Sequence, residues 1–161
     1  MKKRVRKFNW KIFVVSFIIV FAISFIASLF TGGNTNGSWY LQNKPSFTPP
    51  NFVFPIAWTI LYFLIGLSLY FVWNGSEGDK KARRTVAVIF GLNLFFNLIW
   101  SPLFFSLKLP VISFIDILLM ISSAVAMIAV SWKIDRKASY MLMPYLAWIC
   151  FASVLNLGFF V

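Results

Sequence analysis

The chain has 161 residues, of which 60% are hydrophobic, 20% aromatic and only 12% charged, and its formal net charge is +11. A water-soluble domain carries charge on about a quarter of its residues, so this composition excludes an ordinary soluble domain and indicates residence in a membrane. Because the positive charges lie in short segments between long apolar runs, they do not resemble a nucleic-acid-binding module, and no nucleic-acid partner is expected.

The chain opens with a basic arm and a first apolar run over residues 12–30. A signal peptide also joins a basic segment to an apolar stretch. This apolar stretch is too long for a signal peptide, however, and no clean Ala-x-Ala cleavage site follows it. We therefore expect an uncleaved first membrane helix.

Apolar runs of this kind occur five times, over residues 12–30, 52–73, 85–107, 109–132 and 138–161. About 20 residues are needed to cross roughly 30 Å of hydrocarbon as a helix. The runs are continuous rather than alternating, which excludes a transmembrane sheet. The predicted fold class is an all-α integral membrane protein, with residues 1–161 forming a single domain of five transmembrane helices. An odd number of helices without a visible repeat argues against an inverted-repeat transporter.

The longest connection, residues 31–51, changes character halfway. "TGGNTNGS" is polar and flexible, whereas "KPSFTPP" is stiffened by prolines that fix their own φ and restrict the residue before them. We expect the second half to be a defined strap over the outer end of the bundle.

The distribution of basic residues predicts the topology. Thirteen of the fifteen lie before the first helix, between the second and third, or between the fourth and fifth: Lys2, Lys3, Arg4, Arg6, Lys7, Lys11, Lys80, Lys81, Arg83, Arg84, Lys133, Arg136 and Lys137. Lys44 and Lys108 alone fall on the other side. By the positive-inside rule the N-terminus is cytoplasmic, and the C-terminus and residues 31–51 lie outside. The basic residues are also expected to contact anionic lipid.

The chain offers little ordinary chemistry. It contains no histidine, and its single cysteine, Cys150, lies within the fifth helix, so no disulfide or metal site is expected. Of the four acidic residues, only Asp116 lies within a predicted span. It is either a structural hydrogen-bond acceptor or a functional group, and the sequence leaves both hypotheses open.

The tryptophans of the predicted helices fall into two groups according to their depth in the membrane. Trp10, Trp73 and Trp132 fall at cytoplasmic helix ends, where interfacial tryptophans belong. The other three intramembrane indoles lie roughly 8, 10 and 18 Å below the outer helix ends, at 1.5 Å per residue. These are Trp58, Trp100 and Trp148. At such depths they are packing residues or the walls of a pocket.

Polar residues share helix faces with these indoles. On the third helix the spacing i, i+4, i+7, i+8 joins Asn93, Asn97, Trp100 and Ser101. On the fifth helix Trp148, Ala152 and Asn156 repeat the arrangement, and on the second Trp58 is followed one turn later by Tyr62. An intramembrane amide must find a hydrogen-bond partner. The spacing fits interhelical hydrogen bonds and a small-molecule cavity equally well. Ala87 and Gly91 also form a small-xxx-small pair that is suited to close helix contact.

Three segments resemble the signature of a known family. "WYLQNKPSFTPPNFVFPIAWTILY", "NLFFNLIWSPLFF" and "PYLAWICFASVLNL" are similar, in order and spacing, to segments of the translocator protein family, also called the tryptophan-rich sensory proteins or peripheral-type benzodiazepine receptors. The resemblance runs from about residue 39 to the C-terminus.

The resemblance implies a five-helix bundle, often a homodimer, with a ligand cavity closed by the first loop. Its members bind porphyrins such as protoporphyrin IX, and some bacterial members degrade this ligand in light through two cavity tryptophans, whose positions correspond to Trp58 and Trp148. The pocket asparagine and serine correspond to Asn97 and Ser101, and the loop pair to Trp39 and Tyr40. Phe47 replaces the family's usual tryptophan, and the animal cholesterol-recognition segment is not present.

We therefore expect a membrane binding or receptor protein for tetrapyrroles, located in a bacterial cell membrane, with membrane lipids and a second copy of the chain as its other partners. The porphyrin would be ligand or substrate rather than cofactor, and metal-free because the cavity contains no histidine. A light-dependent porphyrin-degrading enzyme and a porphyrin or lipid transporter are the alternatives. The expected ligand-binding residues are Trp39, Tyr40, Pro45, Phe47, Trp58, Tyr62, Asn97, Trp100, Ser101, Trp148 and Ala152.

Overall fold

The computed structural model describes residues 8–161. Its helices are α1 (Trp10–Thr31), α2 (Ser38–Asn43), α3 (Val53–Gly75), α4 (Lys80–Ser101), α5 (Pro110–Ile134) and α6 (Arg136–Leu157). Five of the basic residues used for the topology prediction, Lys2, Lys3, Arg4, Arg6 and Lys7, lie outside the described residues.

Within residues 8–161, five helices are long and apolar enough to cross a membrane: α1, α3, α4, α5 and α6. The predicted all-α membrane bundle is therefore confirmed. Most helix boundaries differ from the sequence prediction by one or two residues, and the larger differences include the start of α4 and the end of α6. Helix α4 begins at Lys80 rather than at residue 85, because the Asp79 side chain accepts a hydrogen bond from the Ala82 N–H and caps a basic first turn. Helix α6 ends at Leu157, and the last four residues form a turn.

The five long helices form a closed ring. Helix α1 packs against α3, α3 against α6, α6 against α5, α5 against α4, and α4 against α1. Buried apolar side chains from all five fill the centre, including Val20, Ile65, Phe90, Met120 and Tyr145. The ring of helices encloses a space at the end that carries residues 31–51, where the helices end in aromatic and polar residues.

The two ends of the bundle differ in charge. We call the end that carries the α3–α4 and α5–α6 turns the basic end, because Lys80, Lys81, Arg84, Lys133 and Lys137 are exposed there. The opposite end, which carries residues 31–51, is called the loop end. Trp10 and Trp132 are exposed at the basic end, as expected for interfacial indoles.

Residues 31–51 are more structured than the sequence indicated. A 3₁₀ turn over Asn34–Asn36 is followed by the short helix α2, which buries Tyr40. Only after α2 does the chain enter its proline-rich part, where the Thr48 hydroxyl donates a 2.7 Å hydrogen bond to the Pro45 carbonyl oxygen. The loop end also contains a π-helical turn, Pro102–Ser106, between α4 and α5.

Candidate functional site

A cavity of about 400 Å³ lies inside the loop end. Its walls come from the last two turns of α1, the first three turns of α3, and the ends of α4 and α6 nearest the loop end. Residues of the 31–51 loop cover it. The aromatic lining consists of Tyr40, Phe54, Trp58, Tyr62, Trp100, Phe104, Phe105, Trp148 and Phe159. No lining residue carries a charge, so the cavity is an apolar, aromatic compartment with isolated polar points.

The cavity brings together most of the residues that the sequence selected. Tyr40, Trp58, Tyr62, Asn97, Trp100, Ser101, Trp148 and Ala152 all line it. They come from α2, α3, α4 and α6. Because α2 and the start of α3 belong to one of the three signature segments, all three segments meet at the cavity. Whether each of them contacts a ligand remains a prediction.

Three of the selected residues do not line the cavity. The Trp39 ring packs against Phe104 and Phe159, with centroids 5.7 and 5.5 Å away. Phe47 is 54% exposed on the outer surface of the loop. Helix α2 explains the position of Trp39. Successive side chains of a helix point in different directions, so Tyr40 points into the cavity and the neighbouring Trp39 does not.

Pro45 packs against Gly158, outside the cavity lining. Its ring occupies the space that a side chain at Gly158 would need. The loop is therefore seated on the turn that follows α6, and Gly158 permits this close approach because it has no Cβ. Pro45 is a support of the covering segment rather than part of the lining.

The covering loop is also tied to itself. The Asn51 side-chain amide donates hydrogen bonds to the Thr35 carbonyl oxygen at 3.4 Å and to Asn36 Oδ1 at 3.1 Å. Tyr40 packs on Phe105 and Phe159, with ring centroids 5.8 and 5.5 Å away. Burial raises the pKa of the Tyr40 hydroxyl above its ordinary value, so this side chain stays a neutral phenol.

The aromatic walls are arranged in contacting pairs. Trp58 stacks on Tyr62 at 5.4 Å, and Trp100 stacks on Phe104 at 5.0 Å with an interplanar angle of 11°. Trp148 contacts Phe54 edge to face at 6.0 Å. Trp58 and Trp148 therefore both contribute an indole ring to the cavity wall.

A hydrogen-bond network forms the floor. The Tyr62 hydroxyl donates to Asn97 Oδ1, and the Asn97 amide donates to the Tyr145 hydroxyl at 3.4 Å. Tyr145 in turn donates to Asn93 Oδ1 at 2.9 Å, and the Asn93 amide donates to Ser123 Oγ at 2.9 Å. The network links α3, α4, α5 and α6. Tyr145 was not selected from the sequence, although it precedes Trp148 by one helical turn.

A second amide fixes Trp100. Asn156 Oδ1 accepts from the Trp100 indole N–H at 3.3 Å and from the Ser113 hydroxyl at 3.1 Å, while its amide donates to the Pro110 carbonyl oxygen at 2.8 Å. The polar faces therefore make interhelical hydrogen bonds and also border the cavity, while their contact with a small molecule stays a prediction. Asn93 joins helices, whereas Asn97 and Asn156 join helices and line the cavity.

The α1 face of the cavity carries hydroxyl groups that sequence reasoning missed. Ser24, Ser28 and Thr31 line it at the spacing i, i+4, i+7. The Ser28 hydroxyl donates to the Phe25 carbonyl oxygen at 2.7 Å, and Thr31 Oγ1 lies 3.3 Å from both Ala27 O and Ser101 Oγ. The regular spacing was the available signal, hidden by the strong apolarity of the helix.

Asp116 lies beside the cavity rather than in its wall. It is 6% exposed, and Oδ2 has no hydrogen-bond partner within residues 8–161. Its neighbour Ile117 does line the cavity. The hypothesis that Asp116 is a structural hydrogen-bond acceptor is therefore not supported at Oδ2, because no described residue donates to this oxygen.

The described residues contain no cluster of three or more His, Cys, Asp or Glu side chains that could hold a metal ion. Cys150 is a free thiol on the exposed side of α6. The arrangement can therefore stack a flat apolar molecule and orient it through a few neutral hydrogen bonds.

The sequence profile of the TspO/MBR family matches residues 15–161. Similar proteins include the tryptophan-rich protein TspO of Archaeoglobus fulgidus, 42% identical over 149 residues that cover 91% of this chain and 94% of that one. The human translocator protein is 33% identical over 134 residues, covering 82% and 78%. The tryptophan-rich sensory protein of Cereibacter sphaeroides is 35% identical over 119 residues, covering 73% and 72%.

Proposed function

The chain belongs to the TspO/MBR family of integral membrane proteins, and from this premise we propose that it binds protoporphyrin IX or a closely related tetrapyrrole in the cavity at the loop end. The observation that carries the proposal is the lining itself. It consists of aromatic rings from three helices and the covering loop, contains no charged residue, and includes a few neutral polar side chains such as Asn97 and Ser101.

The chemistry of a metal-free porphyrin matches this lining. Its flat, largely apolar ring suits stacking on indole and phenol side chains. A volume of about 400 Å³ lies within the range of small-molecule sites, which is roughly 300–1,000 Å³. Because the chain has no histidine and its one cysteine lies outside the cavity lining, the cavity offers neither a histidine nor a cysteine to ligate a porphyrin metal.

The test is a titration of the purified full chain in lipid nanodiscs with protoporphyrin IX, haem and cholesterol, followed by intrinsic tryptophan fluorescence. We expect saturable quenching by protoporphyrin IX, with weaker quenching by haem, whose iron gains no histidine or cysteine ligand. Linear, non-saturating quenching by all three would contradict a binding site. Cholesterol serves as the control for partition into the bilayer.

A second function is favoured by the placement of Trp58 and Trp148 on the same cavity. We propose that a bound porphyrin, once excited by light, exchanges an electron with one of these oxidisable indoles, with dioxygen as the terminal oxidant that consumes the ring. Loss of the porphyrin absorption band under illumination tests this. The loss should stop without dioxygen and slow in a Trp58→Phe/Trp148→Phe variant. An unchanged rate in that variant would contradict it.

The orientation in the membrane is also a proposal. The exposed Lys80, Lys81, Arg84, Lys133 and Lys137 share the basic end, which supports a cytoplasmic position for it by the positive-inside rule. The cavity would then open toward the outer half of the bilayer. A membrane-impermeant amine reagent should label Lys44 in intact cells and leave Lys80 unlabelled, and the reverse pattern would overturn the orientation.

We further propose that the homodimer, if formed, uses the α4 surface around Ala87 and Gly91. Both residues are exposed, and an added side-chain carbon at Gly91 would meet no atom within 4 Å in the single chain. Multi-angle light scattering in detergent should give twice the chain mass for the native protein and one chain mass for Gly91→Leu. An unchanged mass in Gly91→Leu would exclude this surface.

A further inference from the structure

The guanidinium group of Arg83 lies against an aromatic ring at the basic end. Arg83, in the first turn of α4, places Cζ 5.6 Å from the centre of the Trp73 ring at the end of α3. Its Nε atom is buried and has no hydrogen-bond partner within residues 8–161. Trp73 is itself half-buried and packs against the central core. The guanidinium group therefore lies over an aromatic face while its Nε donor makes no hydrogen bond within residues 8–161.

The nearby carboxylates do not supply the missing partner. Asp79 is engaged as the cap of α4, where Oδ1 accepts from the Ala82 N–H at 2.9 Å. Glu77 is exposed on the turn and makes no hydrogen bond to the Arg83 Nε atom. At the other turn, Asp135 accepts from the Lys137 N–H and caps α6 in the same way. Two of the three acidic residues of this end, Asp79 and Asp135, thus cap helices, and the surface remains predominantly basic.

The position of Arg83 indicates the chemistry of its partner. Trp73 ends a transmembrane helix, where indoles lie at the level of lipid headgroups. Arginine binds phosphate in a bidentate manner through its planar fork of donors. A phosphate that is recognised at the depth of the lipid headgroups fits a phospholipid rather than a soluble phosphate.

We propose that Arg83 and Trp73 form a binding site for the headgroup of an anionic phospholipid. The guanidinium donates hydrogen bonds to the phosphate oxygens on the side that Trp73 leaves free, and the exposed Lys80 and Lys81 add attraction for a net negative headgroup. Arg136 makes a similar pair with Trp132 at 5.1 Å, but both side chains are exposed, so it provides general attraction rather than a built site. This site is independent of the loop-end cavity.

Arg84 provides a matched control for the test. It is the next residue, has the same charge and is exposed. Arg83→Gln and Arg84→Gln therefore remove equal charge from the same turn, and only the first removes the guanidinium over Trp73. The full chain would be studied in detergent by native mass spectrometry, with phosphatidylglycerol, phosphatidylcholine and glycerol phosphate added separately.

We expect the native chain and Arg84→Gln to retain phosphatidylglycerol in preference to phosphatidylcholine, and Arg83→Gln to bind it about tenfold more weakly, as expected for loss of charge-assisted hydrogen bonds. Equal weakening in the two variants would overturn the site and leave only general electrostatics. Equal binding of glycerol phosphate would show a soluble-phosphate site and overturn the lipid assignment. Where Arg83→Gln does not fold, Arg83→Lys keeps the charge without the planar fork. It should bind several-fold more weakly, and native affinity would contradict the proposal.

Discussion

The hydroxyl group of Tyr62 donates a hydrogen bond to Asn97 Oδ1 at the floor of the cavity. Both residues also line the cavity, so one contact holds α3 against α4 and shapes the binding surface. Because Asn97 continues to Tyr145 on α6 at 3.4 Å, a change at the floor reaches three helices. Binding and bundle stability are therefore expected to depend on the same few polar atoms.

Replacing Tyr62 by Phe removes the donor and leaves Asn97 Oδ1 without it. We expect the free energy of unfolding in detergent to fall by about 0.6–1.7 kcal/mol, the usual range for an intramembrane hydrogen bond. Tyr140→Phe is the control, since Tyr140 is exposed at the basic end and its ring contact with Trp132 is kept. Equal stability of Tyr62→Phe and the native chain would show that the floor network contributes nothing.

Replacing Asn156 by Leu removes the acceptor shared by Trp100 and Ser113. A buried indole N–H left without a partner costs about 1–3 kcal/mol. We therefore expect lower stability together with a changed Trp100 environment, seen as a shifted tryptophan emission maximum. Ser122→Ala is the control, because that exposed hydroxyl bonds only within its own helix. An unshifted spectrum with native stability would contradict the assigned role.

The five long helices could be predicted because hydrocarbon thickness imposes a length that composition reveals directly. The amide faces were predictable for a related reason, since Asn93, Asn97 and Asn156 have to find partners inside the bundle. Helix α2 could not be predicted. Six residues after a glycine-rich stretch carry no periodic pattern strong enough to distinguish a helix from a turn. The directions in which Tyr40 and Trp39 point are set by tertiary contacts, which the sequence does not reveal.

The covering loop allows a direct comparison of two aromatic residues. Tyr40 lines the cavity, whereas Phe47 is 54% exposed. We expect Tyr40→Ala to weaken protoporphyrin IX binding about tenfold or more, because a stacked aromatic contact and its buried area are lost. Phe47→Ala should leave the dissociation constant unchanged. The opposite ranking in a fluorescence titration would mean that the loop reorganises around the ligand.

The contact between Pro45 of the covering loop and Gly158 can be disturbed without changing a residue that lines the cavity. A methyl group at Gly158 would overlap the Pro45 ring, so Gly158→Ala should lift the loop and accelerate porphyrin release in stopped-flow measurements. Gly91→Ala is the matched control, since its methyl group meets no atom within 4 Å and the small-residue spacing is kept. Native release kinetics in Gly158→Ala would show that the loop does not close the cavity.

The central claim is that a tetrapyrrole binds between the cavity tryptophans. It is tested most directly by equilibrium titration of protoporphyrin IX into nanodisc-embedded native chain, the Trp58→Phe/Trp148→Phe variant and Trp132→Phe, followed by porphyrin absorption. The prediction is saturable binding of about one porphyrin per chain in the native protein and Trp132→Phe, with an affinity at least about tenfold lower in the double variant. Equal affinity in all three would contradict the cavity as the binding site.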